Sequence, residues 1–167
     1  MPRLTSNSST DAIALLTADH KAVAGLFADF RKSSNESERQ VIAQTICDML
    51  TVHATCEEEY VYPAAHQALD DDELVYEAEV EHGTARGLIS CIQDLDTSSP
   101  AFGPSVTVLE EYIKHHVREE EHELFPKLKR SRIDLDALGA VILARKRELA
   151  SQYPHAVPQD REEDAAA

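Results

Sequence analysis

The chain has 167 residues, and 16 Lys and Arg against 31 Asp and Glu give it a net charge of −15 with its eight His counted as neutral. This length fits one or at most two domains, and so negative a chain would be repelled by nucleic acid and by anionic lipid. No apolar stretch approaches the roughly 20 residues of a membrane span, and the first ten residues lack the apolar run of a secretory signal. We therefore expect a cytoplasmic protein, a monomer or weak homodimer, that binds neither nucleic acid nor a membrane.

The sequence predicts an all-α protein, because its five Gly and seven Pro mostly separate long stretches of good helix formers. Helix 1 is predicted to begin near Thr10 and Asp11, residues that suit an N-cap. Helix 2 is predicted to begin near Asn35, with Glu38 three residues later as its capping-box partner. We expect helix 2 to stop at Pro63.

Two further long helices and one short helix complete the pattern. Helix 3 is predicted after the acidic residues 70–73, which are favourable at a helix N-terminus. Helix 4 is predicted after the loop that contains Pro100 and Pro104, and it should end at Pro126. An amphipathic segment at 134–149 predicts a shorter fifth helix.

Four long helices with short connections favour antiparallel neighbours. The predicted fold class is therefore all-α, an antiparallel up-down-up-down four-helix bundle with a short fifth C-terminal helix. We assign residues 10–130 to the bundle and residues 131–150 to the additional helix. Residues 1–9 and 151–167 are assigned to flexible tails.

Cysteine gives no sign of a metal or disulfide framework. Cys47, Cys56 and Cys91 form neither a C-x-x-C pair nor an even set, which argues against structural disulfides and against a thiolate zinc site. We expect them to be small core residues.

The chain repeats itself. The eleven residues that begin at His53 (HATCEEEYVYP) align with the eleven that begin at His116 (HVREEEHELFP) at an offset of 63, and His20 and His82 are separated by 62. Two helical hairpins related by a pseudo-twofold axis would explain this repeat. Each hairpin then supplies one His from its first helix and a His-x-x-x-Glu pair from its second.

The two His-x-x-x-Glu pairs lie in the apolar seam of their helices. A residue four places on lies one turn along the helix and only about 40° round, so His and Glu are neighbours. Without a cation, buried Glu57 and Glu120 would each carry a desolvation cost on the order of several kcal/mol. Because the nearby seam contains no Lys or Arg, protonated His or a metal ion remains as the partner.

A single His in a seam is more often a satisfied core residue, and one His-x-x-x-Glu pair is common on solvated helix faces. The duplicated set of imidazoles and carboxylates instead favours a bundle-core site for two metal ions, with iron or manganese preferred to zinc. The candidate ligands are His20, His53, Glu57, His82, His116 and Glu120. The remaining histidines, His66, His115, His122 and His155, are expected to be solvated.

The pattern H…HxxxE…H…HxxxE, with Tyr62-Pro63 and Phe125-Pro126 following the two HxxxE segments, resembles the hemerythrin-like HHE cation-binding domain over about residues 10–130. The resemblance implies two Fe ions that are bridged by the two glutamates and by an oxo or hydroxo group. It assigns one iron to His20 and His53 and the other to His82 and His116.

The sequence departs from the oxygen carriers of that family at two positions. Their third helix has a second His where this chain has Ala78, and their fourth helix uses Asp five residues after His, where this chain has Glu120 at four. Fewer imidazoles and more anionic oxygens favour ferric iron. The resemblance then implies catalase-like or peroxidase-like peroxide chemistry, or nitric-oxide chemistry, rather than reversible O2 binding. The partners would be small molecules: O2, H2O2, NO or small anions.

Two other functions use the same residues. One is an iron- or oxygen-sensing regulatory module in which metal binding sets folding. The other is a helical interaction domain without metal, whose seam histidines are protonated partners of Glu57 and Glu120.

Tyr60 is a further candidate ligand and catalytic residue. It lies seven residues after His53, so its direction differs by about 20°, and helical side chains lean back toward the N-terminus. The alternative is a core aromatic residue with a hydrogen-bonded hydroxyl. Glu123, its counterpart in the second repeat, and Glu79, one turn before His82, are weaker candidates.

Overall fold

The computed structural model describes residues 11–156, which contain helices, turns and short irregular segments and no strand. Two π-helical segments join α2 to α3 and α5 to α6. The α-helices are α1 (Ala12–Lys32), α2 (Glu36–Cys56), α3 (Tyr62–Ala68), α4 (Glu73–Asp94), α5 (Phe102–Glu119), α6 (Phe125–Arg130) and α7 (Leu135–Leu149). The π segments are π1 (Glu57–Val61) and π2 (Glu120–Leu124), and a 3₁₀ turn spans Pro154–Ala156. The N-terminal tail assigned to residues 1–9 lies outside the described residues.

Helix starts follow local capping chemistry. Asp11, Asn35 and Asp134 each accept a hydrogen bond from the backbone N–H three residues later, at 2.8–2.9 Å, which satisfies a donor that has no partner inside the helix. These caps confirm the predicted starts of α1, α2 and α7. Helix α5 begins at Phe102, earlier than predicted, because proline is tolerated in the first turn of a helix and Pro104 lies there.

The four long helices pack as two antiparallel hairpins. The first hairpin runs from α1 to α3 and the second from α4 to α6. The start of each hairpin's first helix packs beside the end of its second helix, and the bundle holds two separate apolar layers. The tyrosine layer contains Leu16, Val52, Cys56, Tyr62, Val75, Ala78, Leu124, Phe125 and Ile142 among its buried residues. The cavity layer contains Val23, Phe27, Ile46, Cys47, Leu50, Ala85, Ile89, Val106 and Leu109. The predicted bundle is thereby confirmed, although Cys91 is exposed rather than part of the core.

Pro63 and Pro126 do not end their helices, contrary to the prediction. Each is the second residue of the α-helix that follows a π segment. A proline ring would clash with the carbonyl four residues earlier in a regular α-helix, but a π segment widens the turn. The N–H of Tyr62 bonds the carbonyl of Glu57, and the N–H of Phe125 bonds that of Glu120, each five residues earlier. The helices therefore continue, and the side chains beyond each π segment face new directions.

The C-terminal part of the described chain is packed on the bundle. Ile142 of α7 is fully buried in the tyrosine layer. The predicted C-terminal tail covers residues 151–167, of which 157–167 lie outside the described residues. Within 151–156, Tyr153 and Ala156 pack against the same layer. The Nδ1 atom of His155 lies 2.9 Å from a carboxylate oxygen of buried Asp48. None of the helices within residues 11–156 combines the length and apolarity that crossing a membrane requires.

If α7 is part of the core, Ile142→Ala should lower the free energy of unfolding by about 2–5 kcal/mol, because it leaves a cavity where the side chain is fully buried. Val141→Ala is the matched control, since Val141 is 42% exposed and should change stability by less than about 0.5 kcal/mol. Urea unfolding followed by circular dichroism measures both variants. Equal losses for the two variants would mean that α7 does not pack as described.

Candidate metal centre

The four seam histidines and the two seam glutamates converge between the two apolar layers, and none is more than 8% exposed. Their donor atoms form two groups in which every atom lies within 4.8 Å of the others. One group contains His20, His53, Glu57 and Glu120, and the other contains Glu57, His82 and His116. The predicted residues are thus brought together, and Glu57 belongs to both groups.

The imidazoles form one pair in each hairpin. The Nε2 atoms of His20 and His53 lie 3.2 Å apart, and those of His82 and His116 are separated by the same distance. The ring planes are tilted by 57° in both pairs. We call His20 with His53 the first half of the centre and His82 with His116 the second half.

Each glutamate faces both halves. Glu57 places Oε1 3.2 Å from His53 Nε2 and Oε2 3.3 Å from His82 Nε2. The Oε2 atom of Glu120 lies 3.3 Å from His20 Nε2 and 3.5 Å from His116 Nε2. Each carboxylate therefore contacts an imidazole nitrogen of both halves.

Two of these carboxylate oxygens lack a well-directed hydrogen bond. Glu57 Oε1 and Glu120 Oε2 are fully buried and have no hydrogen-bond partner among the described residues. Buried acceptors are normally hydrogen-bonded, and leaving one unsatisfied is costly. A cation between the imidazoles and these oxygens would satisfy both carboxylates, and the nitrogen and oxygen donors suit a first-row transition metal.

Four further carboxylates surround the inner ligands, and sequence reasoning did not identify them. Each contacts the Nδ1 atom of one imidazole, which turns Nε2 toward the centre, as the outer partners of metal-binding histidines do. The pairs are His20–Glu121 (2.9 Å), His53–Asp19 (3.0 Å), His82–Glu58 (2.8 Å) and His116–Glu81 (2.7 Å). The repeat carried a signal for them, because an acidic residue precedes the first His and follows the inward Glu in both copies.

The buried imidazoles and carboxylates shift one another's pKa values. Burial lowers the pKa of His53, but Glu57 and Asp19 outweigh it and raise the pKa to about 10. Burial likewise opposes ionisation of His82, while Glu57 and Glu58 raise its pKa to about 9. Burial raises the pKa of Glu57, yet His53 and His82 bring it well below its ordinary value. At neutral pH, protons therefore hold the place that a cation would take.

Tyr62 brings a hydroxyl group into the centre. Its hydroxyl donates to Glu120 Oε1 at 2.9 Å, and it lies 3.1 Å from His82 Nε2 and 3.4 Å from Glu57 Oε2. Burial raises the pKa of Tyr62 well above its ordinary value, and the two carboxylates raise it further. The group is therefore a neutral hydrogen-bond donor in this state.

The structure does not bring Tyr60 into the centre, and its side chain is partly exposed. The prediction extended α-helical geometry through residues 57–61, which form π1. In a π segment the inward position after Glu57 comes five residues later, at Tyr62. Phe125 holds the equivalent position in the second repeat and stacks on His20 with ring centroids 5.8 Å apart.

The weaker candidates also lie outside the centre. Glu79 is exposed and contacts His66 Nε2 at 3.2 Å, and Glu123 is exposed on π2. His115 and His122 are exposed, as expected. His66, which was expected to be solvated, lies in the short helix α3 with its side chain 24% exposed.

An apolar cavity of about 40 Å³ adjoins all four imidazoles. It lies on the side of the cavity layer, and its lining includes Val23, Leu50, Ala85 and Ile89. Since one water needs at least ~10–15 Å³ of such space, the cavity has room for about three water-sized molecules. Molecules of two to four atoms therefore fit this space.

Paired imidazoles and carboxylates shared between them, buried in a helical bundle, are typical of bundle proteins that bind cations. The sequence matches the family of the Hemerythrin HHE cation binding domain over residues 11–128. The chain belongs to this family, which confirms the resemblance found in its sequence.

Two known proteins are similar to this chain. The fold is similar to the crystal structure of a Hemerythrin HHE cation binding domain-containing protein from Mycobacterium kansasii, with a TM-score of 0.73, 22% sequence identity, and coverage of 85% of this chain and 88% of that one. The sequence is 29% identical over 117 residues to a DNA nickase from Nostoc sp.. That match covers 69% of this chain but 32% of the relative, so the chain spans about a third of the relative's length.

Metal binding should release protons. With pKa values of about 10 and 9, His53 and His82 are protonated at pH 7, and a metal ion must displace those protons to bind. Adding ferrous iron anaerobically to metal-free protein in weak buffer at pH 7 should acidify the solution by about two protons per chain. The apparent affinity should then rise with pH until about pH 9–10. A titration without acidification would mean that both imidazoles are neutral before the metal binds.

Tyr62→Phe should lower the free energy of unfolding of the metal-free protein by about 1–3 kcal/mol, because a buried acceptor on Glu120 loses its donor. Tyr60→Phe serves as the control and should change stability by less than about 0.5 kcal/mol. In iron-loaded protein, Tyr60→Phe should also leave the visible spectrum unchanged. A spectrum that changes with Tyr60→Phe and not with Tyr62→Phe would restore the original assignment.

Proposed function

We propose that this chain is a non-haem di-iron protein that reacts with peroxide at a carboxylate-bridged centre, in a catalase-like or peroxidase-like reaction. The observation that carries the proposal is that Glu57 and Glu120 each face imidazole nitrogens of both halves, while one oxygen of each is buried without a hydrogen bond. Two carboxylates shared between imidazole pairs in a helical bundle suit two iron ions best.

Each half of the centre would provide the two imidazoles for one iron ion. His20 and His53 would hold one iron, and His82 and His116 the other, with the two glutamates between them. Bound iron would supply the change of oxidation state that peroxide disproportionation requires. The protein supplies position, because the outer carboxylates hold each Nδ1 proton and keep each Nε2 pointed inward.

The chain also provides a proton donor, and it provides a small cavity beside the imidazoles. The Tyr62 hydroxyl oxygen lies 2.9 Å from Glu120 Oε1 and 3.1 Å from His82 Nε2. Its proton is therefore available beside the second half of the centre. The cavity of about 40 Å³ beside the imidazoles admits peroxide, O2 or NO. Arg86, whose guanidinium is paired with Glu58, also lines this cavity. A role in the response to oxidative stress follows from this chemistry.

Other functions remain alternatives with defined tests. An iron- or oxygen-sensing module, or reversible O2 binding, would use the same ligands without turnover, so the rate of peroxide consumption separates them from the main proposal. The activity named for the Nostoc relative is not carried over. The chain spans 32% of that protein, and a net charge of −15 opposes binding to DNA phosphates.

Purified protein should contain two irons per chain after expression with added iron. His116→Ala should lose iron, because one half then keeps a single imidazole, and outer or inner ligands commonly change metal affinity by about 10–100-fold. His115→Ala is the matched control, since His115 is exposed beside it. Iron analysis by mass spectrometry measures all three proteins. A single equivalent of tightly held zinc, or equal iron loss in both variants, would contradict the di-iron assignment.

Oxygen release from hydrogen peroxide should rise in proportion to iron occupancy. Azide should suppress it, because a small anion competes for the space beside the imidazoles. A Clark-type oxygen electrode and a series of partly loaded samples give the measurement. Activity that persists in metal-free protein would indicate a contaminating catalase, and an iron-loaded protein without activity would favour the sensing alternative.

A further inference from the structure

The two halves of the centre match in their inner ligands and outer carboxylates, but not in what contacts those carboxylates. In the first half, Asp19 is paired with Lys146 of α7. Its counterpart in the second half is Glu81, which lies 3.5 Å from the exposed imidazole of His115. No Lys or Arg within the described residues forms an ion pair with Glu81. The pseudo-twofold symmetry therefore includes the outer carboxylates but not the residues that contact them.

Lys146 reaches His53 through a single atom. Asp19 Oδ2 lies 2.5 Å from Lys146 Nζ and 3.0 Å from His53 Nδ1. The side chains of Lys146 and Asp19 are 23% and 20% exposed, so solvent screens this contact less than an ordinary surface pair. A charge at Nζ acts on the same oxygen that supports the imidazole.

The position of Lys146 is set by the fold of α7. Arg145, its neighbour, makes a two-pronged contact with Glu59 of π1 at 2.7 and 2.9 Å. Ile142 and Leu149 bury the other face of the helix in the tyrosine layer. This helix follows the family match, which ends at residue 128. The ammonium group therefore comes from an element outside the matched domain and is held in place by that element's packing.

The second half has a cation on a different carboxylate and in a different way. Arg86 contacts Glu58 through Oε2, whereas His82 contacts Oε1 of the same carboxylate. The Arg86 side chain is 50% exposed. Its charge therefore acts on the carboxylate oxygen that His82 does not contact, and solvent screens it better than the charge of Lys146.

We propose that Lys146 is a positioning residue for the metal centre, which acts through Asp19 Oδ2 on the orientation and donor strength of His53. A cation on the shared oxygen weakens that oxygen as a hydrogen-bond acceptor, so His53 becomes a weaker electron donor to a metal ion. Outer partners of this kind tune the metal through its ligand. The first half should then stabilise the lower oxidation state of its metal. This inference rests on the proposed function only in placing a metal at His53.

Lys146→Met tests the inference, because it removes the charge and keeps a flexible apolar side chain at the same position. Arg147→Met is the matched control: Arg147 is exposed on the same turn of α7, so the change removes one positive charge and leaves the contacts of Asp19 and Glu59 in place. Lys146→Arg should retain the cation. If Lys146→Met does not fold, Lys146→Gln takes its place in both measurements below.

The first measurement is the reduction midpoint of the iron-loaded protein. Lys146→Met should shift a midpoint to more negative potential, while Arg147→Met and Lys146→Arg stay at the wild-type value. The second measurement is the Nδ1–H proton resonance of His53 in metal-free protein, which should move in Lys146→Met and not in Arg147→Met. Melting temperatures of the variants show whether a change is merely structural.

Each outcome decides the matter. If iron binds and the midpoints of Lys146→Met and Arg147→Met agree, the inference is wrong and the proposed function stands. If the protein binds no iron, the proposed function fails, and the His53 resonance alone decides the inference. An unchanged resonance in Lys146→Met would then overturn it, and a shift confined to Lys146→Met would support the link between Lys146 and His53.

Discussion

Two buried carboxylates in the middle of an apolar bundle are the constraint on which this structure depends. Glu57 and Glu120 are 0% and 2% exposed, and each would be costly without positive charge nearby. The imidazoles of His53 and His82 provide that charge as protonated groups, and a metal pair would provide more of it. The division of the core into two apolar layers, with the polar centre between them, follows from the same requirement.

The duplicated sequence spacing predicted much of the fold and the inner ligands. A His-x-x-x-Glu pair on an α-helix needs no tertiary information, because residues four apart share a face. The prediction for Tyr60 differs from the structure where that rule stops. Nothing in the local propensities of residues 57–61 distinguishes a π segment from an α-helix, and one extra residue in the turn exchanges Tyr60 for Tyr62 as the inward side chain. Pro63 and Pro126, which follow the two π segments, were the sequence feature that marked the departure from α-helical geometry.

The outer shell was harder to predict, since its contacts cross between helices. Asp19 of α1 supports His53 of α2, and Glu81 of α4 supports His116 of α5. Such partners depend on helix packing, which the periodicity of one helix does not encode. The contact that α7 makes with the metal centre is even harder to predict from the sequence repeat. Its amphipathic face predicted a packed helix, but the contact between Lys146 and Asp19 needs the tertiary structure.

Iron-edge anomalous diffraction from crystals of iron-loaded protein tests the central claim most directly. The account predicts two anomalous peaks between the apolar layers, one beside each imidazole pair, with Glu57 and Glu120 both in contact with the two peaks. A single peak, or two peaks that share neither glutamate, would contradict the claim that these carboxylates bridge two metal ions.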